Sequence, residues 1–137
     1  MIITKKVLLV EDDSDDQFLF LEAINQVDNA IECVIAYNGK EALDYLRDNP
    51  PLPRAIFLDL NMPVMGGLEC LELLRQNESY RDIPVIVLTT SDNPVYMATV
   101  KGLGARAYLV KHPDYKGLFT TLSHIVEAGF QMNEFPA

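Results

Sequence analysis

Residues 7–16 read VLLVEDDSDD, four apolar residues running straight into five carboxylates spread over positions 11 to 16. Crowded carboxylates repel one another, and each is easier to protonate than to ionise beside charged neighbours. Two readings of the acidic end stand at this point. Asp and Ser commonly start helices, where free N–H groups and the helix dipole favour negative charge. Alternatively, the carboxylates surround a divalent cation. The apolar half is less ambiguous, because a short continuous Val/Leu run is the mark of a strand covered on both faces.

Four further runs resemble it: Glu32 to Tyr37, Ala55 to Leu60, Val85 to Thr89 and Ala107 to Lys111, with the first strand taken as Lys6 to Val10. Stretches with helical spacing separate them. The first covers Asp15 to Val27, with Phe18, Leu21, Ile24 and Val27 at intervals of three. The second starts near Gly39 and carries Ala42, Leu43 and Leu46. The third follows Gly66-Gly67 with Leu68, Leu71 and Leu74 beside Cys70. The fourth follows Asn93-Pro94, proline being harmless in a first turn. The fifth holds Leu118, Leu122, Ile125 and Val126 and ends at Gly129. Strand and helix in five-fold alternation imply right-handed βαβ units and an open, five-stranded parallel α/β sheet.

With 137 residues the chain suits one domain with a sizeable core. The domain is taken over residues 1–130, and the C-terminal stretch FQMNEFPA (130–137) reads as a loosely held tail, its boundary at 130/131. A net charge of −9 disfavours attraction to nucleic acid or anionic lipid. No apolar run approaches the roughly 20 residues that span a bilayer. Acid follows the first apolar run where a signal peptide would need small residues, so a cytoplasmic location is expected. Cys33 and Cys70 lack metal or redox spacing and read as buried free thiols.

In parallel sheets of this kind, ligands bind beyond the carboxyl ends of the strands, where strand order reverses. Those ends carry Glu11, Asp12 and Asp13 after the first strand, and Asp59 after the third. Thr89, Thr90 and Ser91 follow the fourth, and Lys111 the fifth. Acids, hydroxyls and a cation would face one crevice.

The set Glu11-Asp12, Asp59, Thr89 and Lys111, with the phrases LLVEDD, LDLNMPVMGG, PVIVLTTS and GARAYLVK, resembles the receiver domain of two-component response regulators over roughly residues 5 to 128. The single-domain regulators that partner phytochrome-type kinases look nearest. The resemblance implies a flavodoxin-like (βα)5 fold with strand order 2-1-3-4-5. It implies that Asp59 accepts a phosphoryl group from a phosphohistidine on a histidine kinase or phosphotransfer protein. Mg²⁺ would be held by Asp12, Asp59 and the Asn61 carbonyl, with Glu11 reaching it through water. Lys111 would pair with phosphoryl oxygens, Thr89 would hydrogen-bond them, and Thr90 would donate a backbone N–H. Tyr108 would be the aromatic switch that moves with Thr89. Asp13, Asp15 and Asp16 are left as helix-start and solvated-face residues.

One departure from the family is Lys111-His112-Pro113, where receivers commonly have Lys-Pro with a cis bond. A cis bond before His112 costs about 3 kcal/mol, against less than about 1 before proline, and both geometries stay open. His112 reads as an exposed loop residue. His124, in the last helix, reads as a surface or packing residue rather than a phosphorelay histidine.

Two other functions compete with a phosphorylation-controlled binding module. A small phosphatase with an aspartyl-phosphate intermediate would want a second acid two residues after Asp59, where Asn61 stands. A flavodoxin-like cofactor binder would want a phosphate-cradling loop after the first strand, where acid stands instead. Output is expected through contact with a downstream protein or a second copy of the chain, or by passing the phosphoryl group onward. The expected contact face joins the fourth helix (Val95, Tyr96, Met97, Val100), Tyr108 and Phe119.

Overall fold

The computed structural model describes residues 5–111, 114–132 and 135. The run Val7–Val10 lies in strand β1 (Lys5–Val10), which is flanked on both sides: Val10 pairs with Ala36 of β2 (Ile31–Ala36) and with Leu58 of β3 (Ala55–Leu58). β4 (Val85–Thr89) and β5 (Ala107–Val110) continue the sheet, all parallel, in the order β2-β1-β3-β4-β5. The helices are α1 (Ser14–Val27), α2 (Gly39–Asp48), α3 (Gly67–Gln76), α4 (Pro94–Gly102) and α5 (Tyr115–Glu127).

The pleat of β1 explains the two layers. Leu8 and Val10 face one core, with Leu46 of α2, Leu71 and Leu74 of α3 and Val100 of α4. Val7 and Leu9 face the other, with Phe20 and Ile24 of α1 and Leu122 and Ile125 of α5. A strand buried on both faces has no polar side to alternate, which is why β1, β3 and β4 read as continuous apolar runs. Side chains start the helices: Asp13 caps α1, Asn38 α2, Asn93 α4 and Asp114 α5. None of the described helices is long and apolar enough to cross a membrane.

Two expectations are corrected. The stripe Phe18-Leu21-Ile24-Val27 is not the buried face of α1, since Phe18 is 62% exposed while Gln17, Phe20, Ala23 and Ile24 are buried. A three-residue spacing slips about 60° round a helix at each step, so it cannot stay on one face. The stretch from residue 130 is not loosely held where it is described. Phe130 is buried, with its ring edge-on to Phe57 at 6.5 Å, and Met132 and Phe135 pack against the two cores. Cys70 is buried and Cys33 half-buried, both as free thiols.

Candidate functional site

The chain leaves β1 outward to β2 and returns to β3, so strand order reverses between β1 and β3. Because Val10 is in register with Leu58, the next residues, Glu11 and Asp59, leave the sheet side by side. Their backbones stay laddered one step beyond the strands: Asp59 N–H donates to Val10 O (3.1 Å) and Glu11 N–H to Ala36 O (2.9 Å). Glu11 is 3% exposed and Asp59 6%, whereas Asp12 is open to solvent. One carboxylate oxygen from each of the three lies within 4.8 Å of the others. An all-oxygen, acidic donor set with an open side fits a hard divalent cation that keeps several waters.

Lys111 closes the other side. Its Nζ donates to Glu11 Oε1 at 2.6 Å and to Asp16 Oδ2 at 2.7 Å, and stands 3.6 Å from Asp59 Oδ2. Burial pushes the Glu11 carboxyl up to about 7; the Lys111 hydrogen bond opposes this and the Asp59 charge adds to it. Burial disfavours the Lys111 ammonium, but its hydrogen bonds to Asp16 and Glu11 and the Asp59 charge outweigh that and keep it protonated. Asp16 is therefore no mere solvated-face residue. Its partner lies 95 positions away, beyond the reach of any local pattern. Asp13, by contrast, does start the helix, accepting from Asp16 N–H at 2.9 Å, and Asp15 is exposed.

Thr89 is buried at the end of β4, and Lys111 N–H donates to its carbonyl at 2.7 Å. Thr90 is exposed beside it. Asn61 is also exposed, and its N–H points to Asp59 Oδ1 at 3.4 Å. Tyr108 is buried, and its hydroxyl donates to Ser91 O at 2.6 Å. It therefore adds no apolar area to the expected contact face, and Val100 is in the core with Met97, half-buried, packed against it. Of that face, Val95 (68% exposed) and Tyr96 stand out to solvent, with Phe119 half-buried. The geometry before His112 lies outside the described residues, as does His112 itself.

Gly67 was not singled out by sequence as a site residue. Its N–H donates to Leu60 O at 3.0 Å, and a Cβ there would fall 2.2 Å from Asp59 O and 2.7 Å from Leu60 Cα. Only glycine lets α3 begin against the backbone that carries Asp59. The doublet Gly66-Gly67 was the available signal.

Comparison with known proteins agrees with this fold. The family model for the response regulator receiver domain matches residues 7–123. The chain is 34% identical over 138 residues to Response regulator Rcp1 of Synechocystis sp., covering 97% of this chain and 94% of that protein. A Chemotaxis protein CheY homolog of Campylobacter jejuni is 32% identical over 108 residues, covering 77% and 80%. Among solved structures, the phosphorylated cyanobacterial phytochrome response regulator RcpA superposes with a TM-score of 0.86 at 33% identity, covering 93% of this chain and 95% of that one. The Mn²⁺-bound form of Rcp1 gives 0.83 at 34% identity, covering 97% and 99%. With the strand order, the converging strand ends and these relatives in agreement, the chain belongs to the response regulator receiver domain family of two-component signalling.

Proposed function

We propose that residues 1–130 form a cytoplasmic receiver that takes a phosphoryl group from a phosphohistidine onto Asp59. The observation that carries this reading is the placement of Asp59: nearly buried, beside Glu11 and Asp12, and 3.6 Å from the Lys111 ammonium. An Asp59 carboxylate oxygen attacks phosphorus, the P–N bond breaks, and the imidazole leaves with its electron pair. Two anions must meet in that step, so the chain's task is neutralisation and alignment. Lys111 supplies fixed positive charge, Thr89 a hydroxyl at the end of β4, and Thr90 a backbone N–H. Mg²⁺ held by Asp12, Asp59 and the Asn61 carbonyl, with Glu11 behind it, would supply the remaining charge neutralisation.

The product carries extra negative charge and acceptor oxygens, which is the signal. Thr89 and Tyr108 relay it toward α4, β5 and α5, where a downstream protein or a second copy of the chain is met. Partner control requires different affinity for the two states. The relatives named for phytochrome and chemotaxis signalling support a histidine kinase or phosphotransfer protein as donor.

Intact mass after incubation with Mg²⁺ and a small acyl-phosphate donor tests the reading. One phosphoryl adduct is expected on the wild-type chain and none on Asp59→Asn, a nearly isosteric change. Label on Asp59→Asn at the wild-type level would move the acceptor elsewhere. Rapid turnover of phosphomonoesters would favour a phosphatase instead.

A further inference from the structure

The Lys111 ammonium is engaged on the wrong side for a group bound to Asp59. Of its neighbours, Glu11 Oε1 (2.6 Å) and Asp16 Oδ2 (2.7 Å) are hydrogen-bonded, whereas Asp59 Oδ2 at 3.6 Å is out of hydrogen-bond range. We propose that Asp16 is a positioning residue that holds Lys111 off Asp59 in the unphosphorylated protein, and that phosphorylation exchanges the Asp16–Lys111 ion pair for one between Lys111 and the phosphoryl group. The proposal rests on Asp59 being the acceptor.

The two carboxylates around Lys111 differ in what parting costs them. Glu11 has 4% of its side chain exposed, and its second oxygen already accepts from Asp13 N–H at 3.2 Å. Losing its cation would strand a buried charge. Asp16 has 37% of its side chain exposed, so water can take over the carboxylate when the lysine leaves. Asp16 is also well anchored. It lies in the first turn of α1, where the dipole favours an anion, and its N–H is bonded to the capping Asp13. The resting position of Lys111 is thus set by α1, across a separation of 95 residues. A small pocket lined by Leu9, Leu19, Phe20, Leu88 and Leu118 together with Glu11, Asp16 and Lys111 lies on the α1 side of the lysine, away from Asp59. Phosphorylation would then release the first turn of α1 from the end of β5.

The test compares acyl-phosphate labelling rates, with Mg²⁺, for wild type, Asp16→Asn, Asp16→Glu, Asp15→Asn and Asp59→Asn. Asp16→Asn keeps the side-chain shape and frees Lys111, so labelling is expected to speed up about two- to fivefold, the range of a partly exposed ion pair. Asp15→Asn removes the same charge from the same turn without touching Lys111 and is expected to label near the wild-type rate. Asp16→Glu restores the pair and should return the rate toward wild type. Amide exchange at residues 14–20 should increase on phosphorylation of the wild type and change little in Asp16→Asn. If Asp59→Asn is unlabelled but Asp16→Asn and Asp15→Asn label alike, the Asp16 proposal fails and the acceptor stands. If Asp59→Asn is labelled like the wild type, both fail.

Discussion

The hydroxyl of Tyr108 donates a 2.6 Å hydrogen bond to the carbonyl oxygen of Ser91. On its other side, Ser91 turns its N–H toward Thr89 Oγ1 at 3.4 Å. One residue in the loop between β4 and α4 is thus tied to the buried threonine at the site and to the buried aromatic on β5. A shift of Thr89 toward a phosphoryl group would be passed to Tyr108 through Ser91.

Tyr108→Phe keeps the ring and removes only this bond. We expect a loss of about 1 kcal/mol in urea unfolding, the usual net value of one hydrogen bond. Amide exchange at residues 90–93 should quicken. Unchanged protection there would mean that the bond does not hold the loop.

Carboxylate oxygens of Glu11, Asp12 and Asp59 lie within 4.8 Å of one another, so Mg²⁺ is expected to raise the melting temperature. At a hundredfold excess over the dissociation constant the gain is about 2.7 kcal/mol. Asp12→Ala should abolish the gain, and without metal it should melt higher than wild type because like-charge repulsion is relieved. A metal-free Asp12→Ala protein that melts lower would refute the repulsion argument.

Gly67→Ala places a methyl group against backbone atoms of Asp59 and Leu60 that cannot step aside. Overpacking of this kind costs about 1–3 kcal/mol, and labelling of Asp59 should fall as its backbone is displaced. Denaturant titration and mass spectrometry read the two effects separately.

Val64 sits at φ 68° with 80% of its surface exposed. A β-branched residue in this left-handed region is strained by about 1–2 kcal/mol, and Asn tolerates it better. Val64→Asn should therefore stabilise the protein by about 1 kcal/mol, since little apolar burial is given up. A lower urea midpoint would contradict this.

Burial pushes the Cys70 thiol up to about 12 from an ordinary value near 9, with Glu69 adding to the effect. An acid whose folded-state pKa is raised binds its proton more tightly when folded, so stability is lost as pH climbs from about 9 toward about 12. The buried Tyr108 hydroxyl is raised too, and acts in the same direction. The urea midpoint should drop between pH 8 and about 10.5, more steeply for wild type than for Cys70→Ala. Equal slopes would show that the thiol does not contribute.

What could be read from sequence follows from short-range physics. Val7–Val10 announces a doubly covered strand because no residue in it can face water, and Asp13 and Asn93 announce helix starts because a cap acts within three residues. Acids standing at the strand ends could be placed at one crevice, because parallel strands put all their carboxyl ends on one side. Which face of α1 meets the sheet could not be read from the three-residue spacing that begins at Phe18: Phe18 is exposed and Phe20 is buried. A helix's rotation is settled by what packs against it, here α5 and the second core.

The order of the elements, their types and the acids that end β1 and β3 were determined by the sequence itself, because periodicity, capping and strand termini are local properties. The burial of Tyr108 against Ser91, the seating of Phe130 on Phe57 and the capture of Lys111 by Asp16 were decided only by the tertiary structure. Each joins segments far apart in the chain. A contact of that kind exists only once the sheet has set the distance between them, and an ion pair or hydrogen bond changes character within an ångström.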